Sequence, residues 1–190
     1  IWLNEGFATW AANKPLAVWR PDWKMEMNVA EELQQAMGLD TLSSTHAIRN
    51  MVETTDEINQ VFDPIAYEKT GSVLAMIEAY VGPEAFRRGV SSYLKRFSYA
   101  NASGEDFWAE MAKVTGKPVD QILKSLVDQP GIPLLSVESV TTGNTTEVRL
   151  TQQRFWLTPP AGAAPPQTWT LPVCLKQGSG QPRCEVVTRP

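Results

Sequence analysis

Histidine is nearly absent from this chain: His46 is the only one in 190 residues. A catalytic zinc commonly takes two histidines and a glutamate from the protein. With one histidine and no H-E-x-x-H, that site cannot be built from these residues alone. Long apolar runs are also missing. None approaches the ~20 residues that a membrane-spanning helix needs. There is no excess of positive charge either: 17 Lys and Arg stand against 21 Asp and Glu, for a net charge of -4. The basic residues are scattered, which leaves no electrostatic footprint for nucleic acid. The start carries no initiator Met, basic n-region or apolar h-region. Ile1 leads directly into a helical pattern, so the expectation is a fragment excised from a longer chain.

What is present is an ordinary globular composition. With 43% hydrophobic and 20% charged residues, disorder is not the default, and the length suffices for one domain or two small ones. Residues 1 to about 132 read as helices punctuated by Pro and Gly. Trp2, Leu3, Phe7 and Trp10 recur at helical spacing, and Pro15 is expected to end that segment. A second helix is predicted from Asp22 to Met37, closed by Gly38, and then a polar connection over residues 39–55. Asp63 as N-cap and Pro64 at the first helical position predict a helix through Tyr67, Val73, Leu74, Ile77 and Tyr80 to Gly82. Pro83-Glu84 opens another helix, Ser103 caps a further one, and Pro118 begins the last.

After Pro133 the period changes to that of strands. Four are predicted: Leu134 to Val140, Glu147 to Gln153, Thr168 to Leu175 and Arg183 to Thr188. Residues 158–166 form a proline-rich loop between them. Helices followed by strands indicate an α+β chain in two units, 1–133 and 134–190. Cys174 and Cys184 lie symmetrically about Ser179, so a hairpin turning at Gly178-Ser179-Gly180 would set them opposite one another. A cross-strand disulfide, and hence an exported, periplasmic or extracellular location, is the preferred reading. Two unrelated core cysteines or a pair of free thiols are the alternative.

The chemistry concentrates in two segments. Glu5 sits in Trp2-Leu3-Asn4-Glu5-Gly6-Phe7-Ala8-Thr9-Trp10, an otherwise apolar helix where a carboxylate is costly to bury unless paired or metal-bound. Tyr67 lies one turn into a capped helix, in Asp63-Pro-Ile-Ala-Tyr67-Glu-Lys69-Thr-Gly-Ser-Val-Leu74. A glutamate paired with Lys or Arg, and a tyrosine that merely packs, are the commoner uses of such residues.

The first segment resembles the third zinc-ligand helix, N-E-G-F-A, of the aminopeptidase N-like gluzincin metallopeptidases. The second is similar to their Y-x-K-G-A-x-V-L element, with Thr70 where Gly is usual and Gly71 where Ala or Ser is usual. Weaker likenesses follow in the family's order at Ser44-Thr45-His46-Ala47, at residues 56–63 and at residues 128–133. The resemblance implies that Glu5 is a zinc ligand and that Tyr67 donates a hydrogen bond to the oxyanion formed at the peptide carbonyl. It further implies that 1–133 is the helical part of a metallopeptidase catalytic domain and 134–190 the start of a β-sandwich.

The general-base glutamate of H-E-x-x-H and the glutamate that binds the substrate's free amino group lie in neither segment. The expectation is therefore part of a zinc aminopeptidase removing N-terminal residues from peptides, with the isolated chain inactive and holding no zinc. A non-catalytic helical scaffold or binding module descended from the family is the alternative, and an epoxide-hydrolysing relative a minor third. Without its neighbouring helix, the chain should expose Trp2, Phe7 and Trp10 and self-associate through them or through an open sheet edge near Pro190.

Overall fold

The computed structural model describes residues 1–162 and 166–190; part of the proline-rich loop read at 158–166 lies outside the described residues. Seven α-helices precede four strands among the described residues: α1 (Trp2–Trp19), α2 (Met25–Asp40), α3 (Thr55–Gln60), α4 (Thr70–Val81), α5 (Pro83–Arg96), α6 (Gly104–Thr115), α7 (Val119–Val127), β1 (Ile132–Thr142), β2 (Thr145–Phe155), β3 (Leu171–Leu175) and β4 (Arg183–Val187). The fold is α+β, with helices first and antiparallel strands after them.

Punctuation by proline and glycine accounts for most boundaries, and its failures are informative. Pro15 does not end the first helix; α1 continues through it to Trp19. A mid-helix proline removes one hydrogen bond, but the turn beyond is held by the Arg20 N–H donating to Leu16 O at 2.8 Å and by Trp19 lying edge-on to Trp23 at 5.9 Å. The second helix starts later than Asp22, because Lys24 adopts a left-handed conformation (φ 50°) that separates a short 3-10 turn, Pro21–Trp23, from α2. It also runs past Gly38 to Asp40, whose fully buried carboxylate accepts from the Gly131 N–H at 2.7 Å. That tertiary anchor carries the helix beyond the glycine. Pro118 stands just before α7 rather than inside it. The polar connection ends at Thr54, whose hydroxyl and Glu57 form a reciprocal capping box that starts α3.

Where local signals and packing agree, the elements match their sequence pattern. Ser103 caps α6 in a second capping box, with Asp106 as the reciprocal partner. Gly82 (φ 91°) separates α4 from α5, a conformation that disfavours any residue with a Cβ. β1 and β2 pair in register from Ile132↔Phe155 to Thr142↔Thr145 around a Gly143-Asn144 turn. β3 and β4 form a separate hairpin in which Cys174 is directly opposite Cys184. Their sulfurs are bonded, and the Gly180 N–H closes the turn on Gln177 O.

One apolar core joins the helices to the strand region. Ile65, Leu74, Ile77 and Phe86 pack with Phe107, Met111 and Ile122, and Trp169 and Leu171 from the later segment enter the same cluster. Fully burying a side chain such as Phe86 contributes about 1.5–3 kcal/mol relative to leaving it in water. Trp2, Phe7 and Trp10 are not an exposed stripe. They are half-buried against this core, Trp2 on Trp108 (6.0 Å between rings) and Trp10 on Phe86 (5.0 Å). Apolar exposure lies instead at the far end of α1 and beyond, at Val18 (84% exposed) and Trp19 (69%).

Candidate active site

Helix α1 carries Glu5, and the segment just before α4 carries Tyr67. Their meeting depends on small residues. A Cβ built on Gly6 would lie 2.1 Å from Thr70 Cγ2 and 2.4 Å from Thr70 Cβ, so the two backbones approach as closely as glycine permits. One turn on, a Cβ on Gly71 would reach within 3.2 Å of Thr9 Cγ2. The Thr9 hydroxyl is turned back onto Glu5 O at 2.9 Å. This seam sets α1 on α4 and brings the half-buried Glu5 to face Tyr67.

Tyr67 stands in a single wide turn, Ile65–Lys69, of π geometry. The Lys69 N–H donates to Pro64 O five residues back at 3.0 Å, and the Thr70 hydroxyl donates to Ile65 O at 3.1 Å. Such turns are rare inside helices and occur often at functional sites. The front of the turn is pinned by Asp63: its Oδ1 accepts from the Ile65 and Ala66 N–H groups at 3.0 and 3.1 Å. Its Oδ2 lies 2.8 Å from His46 Nε2, while His46 Nδ1 lies 2.8 Å from Ala47 O. Both nitrogens of the one histidine are thus occupied in holding a loop to this cap.

Removal from water pushes the Tyr67 phenol above the ordinary tyrosine pKa, and the carboxylates of Glu5 and then Glu68 push it further. The phenol therefore keeps its proton at neutral pH and can act as a donor. Glu68 is itself raised, by burial first and then by Glu32 and Asp63. A cleft of about 320 Å³ opens beside this acidic patch, between α1, α2 and α4, lined by Trp10, Val29, Glu32, Glu68 and Gly71 among others. A second groove, of about 780 Å³, lies between α1 and α5, and neither Glu5 nor Tyr67 lines either cavity.

Two residues complete the back of the turn, and sequence reasoning gave no role to one of them, Asp40. Asp40, at the end of α2, is fully buried, and Lys69 is 6% exposed; Lys69 Nζ lies 2.5 Å from Asp40 Oδ2. Lys69 thus both pairs with Asp40 and packs in the interior. Asp40 gave no local signal, since its partners Lys69 and Gly131 are distant in the chain.

As to metal, Glu5 offers one carboxylate at a helix face that a second group approaches. Among the described residues no three His, Cys, Asp or Glu side chains gather as a metal cluster. Glu5 fits as one ligand of a set, and the described residues do not bring further ligands to it.

Residues 1–126 match the peptidase family M1 domain, and the chain belongs to that family. It is similar to the alanine/arginine aminopeptidase of Saccharomyces cerevisiae, 42% identical over 156 residues covering 82% of this chain and 18% of the relative. It is likewise similar to the leucyl aminopeptidase of Saccharolobus solfataricus, 41% identical over 158 residues, 83% of this chain and 20% of the relative. With the tricorn protease-interacting factor F2 of Thermoplasma acidophilum it shares 38% identity over 182 residues, 95% of this chain and 22% of that protein. The chain thus spans about a fifth of the length of these relatives.

Proposed function

We propose that this chain is part of a zinc-dependent aminopeptidase that removes N-terminal residues from peptides, and that it contributes Glu5 as a metal ligand and Tyr67 as the oxyanion donor. The observation that carries the reading is the pairing of Glu5 and Tyr67 across the Gly6–Thr70 seam. The aminopeptidase names of relatives near 40% identity support it.

Zinc, when bound, supplies Lewis-acid polarisation of the scissile carbonyl. The chain's own residues do the rest of their share by position. Glu5 presents a carboxylate from a helix that packing holds rigid. Tyr67 keeps its proton and donates it as a hydrogen bond toward the oxygen on which negative charge develops, a contact made stronger by partial exclusion of water. Taken alone, the 190 residues hold one ligand and one donor, and we expect them neither to retain zinc nor to turn over substrate. An exported or periplasmic setting belongs to the same proposal, supported by the bonded Cys174–Cys184 pair.

The test uses the full-length protein. Glu5→Ala should lose zinc and aminopeptidase activity together. Tyr67→Phe should keep zinc and lower kcat by about 10²–10³, the usual cost of one oxyanion donor. Unchanged zinc and unchanged rate in Glu5→Ala would reduce Glu5 to helix scaffolding and remove the reading.

A further inference from the structure

Buried ion pairs are poor stabilisers, because removing both charges from water costs several kcal/mol that their attraction barely returns. The Asp40–Lys69 pair is nonetheless placed in the interior and supplied with further partners. Asp40 Oδ1 accepts from the Gly131 N–H (2.7 Å) and from the Thr45 hydroxyl (2.9 Å), and Lys69 Nζ also donates to Gly131 O at 3.2 Å. The pair therefore ties three segments at one point: the end of α2, the last residue of the wide turn, and the strand entry at Gly131. The Arg154 guanidinium packs against Gly131 on the other side, where a Cβ would meet its Nε at 2.3 Å. Asp63, at the head of the turn, is the other carboxylate acting on Lys69.

Position explains why such a tie is useful here. Tyr67 and Lys69 share the turn Ile65–Lys69, which holds one residue more than an α-turn. Resolving it to α geometry would rotate what precedes it by about 100° relative to α4, since an α-helix advances 3.6 residues per turn. The Asp63–His46 cap fixes the front of the turn independently. At the back end the extra residue is held by Lys69 on Asp40 and by the Thr70 hydroxyl on Ile65 O.

We propose that Asp40 and Lys69 are positioning residues for Tyr67: their buried pair holds the wide turn open and so keeps the phenol aimed beside Glu5. This rests on the assignment of Tyr67 above. Lys69 touches no substrate; it acts through the turn.

The experiment is a kinetic cycle in the full-length protein with Lys69→Met, Tyr67→Phe, their double variant, and Asp40→Asn/Lys69→Met. The last removes both charges while leaving an acceptor for the Gly131 N–H, so it guards against simple misfolding. Lys69→Met should lower kcat by about 10–10², the scale of a misplacement near 1 Å, with KM and zinc content nearly unchanged. Added to Tyr67→Phe it should cost less than about twofold more, because the hydroxyl it aims is already gone. Asp40→Asn/Lys69→Met should recover the thermal midpoint and not the kcat. Full multiplicative losses in the double variant, or recovery of kcat together with the midpoint, would overturn the positioning role alone. Undiminished kcat in Tyr67→Phe would remove the assignment of Tyr67 and this inference with it.

Discussion

Substituting Gly6 by Ala should destabilise the chain, although the same change one helix away should stabilise it. Gly6 is buried in α1, and its missing Cβ is the space into which Thr70 projects, at 2.1 and 2.4 Å from the would-be atom. Thr70 is 1% exposed and its hydroxyl is committed to Ile65 O, so the neighbour cannot simply turn away. Overpacking of this kind costs about 1–3 kcal/mol. Alanine's better helix propensity returns up to about 1 kcal/mol, so at full return the net loss is up to about 2 kcal/mol. For a chain of this size that is a fall of up to about 8 °C in Tm.

Gly38 provides the control. It lies exposed within α2 with nothing within 4 Å of its would-be Cβ. Gly38→Ala should therefore raise stability by about 0.5–1 kcal/mol. Thermal unfolding of the two variants, followed by circular dichroism, gives opposite signs for one chemical change. In a Thr70→Gly background, which removes both clashing atoms, Gly6→Ala should lose its penalty. A rise in Tm for Gly6→Ala matching that of Gly38→Ala would refute the close approach of α1 to α4, and with it the geometry that faces Glu5 to Tyr67.

Two further perturbations read other parts of the fold. The Glu110 carboxyl accepts from the Ser92 hydroxyl and from Arg96, each at 2.7 Å, and these contacts hold its pKa below the ordinary glutamate value of 4.5. Its stabilisation is complete above that value and is lost as pH falls through the lower folded-state pKa, because the unfolded chain then binds the extra proton. Urea midpoints measured across that acid range should fall less steeply for Glu110→Gln than for the unaltered chain; equal slopes would contradict the assignment. Reduction of Cys174–Cys184, ten residues apart, should cost about 2–3 kcal/mol by loop-closure entropy. Hydrogen exchange should then accelerate at Val173 and Val186 and stay slow in α5 and α6, and uniform protection after reduction would show the hairpin to be held by packing alone.

The sequence by itself determined the elements whose signals are local. Ser103 and Pro83 act through hydrogen bonds and torsions within a few residues, and their helices start where they stand, while Asp63-Pro64 starts the wide turn that leads into α4. The change from a 3.6-residue to a two-residue period near Pro133 likewise sufficed for the α+β class, since periodicity is a property of neighbours along the chain. The family was legible for the same reason, in the runs around Glu5 and Tyr67. Tertiary structure alone decided what depended on distant partners. Pro15 and Gly38 failed as stops because contacts at Trp23 and Gly131 outweighed one lost hydrogen bond and one poor helix former. The burial of Asp40 against Lys69 and the closing of Gly6 on Thr70 join residues dozens of positions apart. No local propensity encodes such contacts. They exist because burying the apolar core forces α1, α2 and α4 together, and the polar groups then trapped at that junction must find one another.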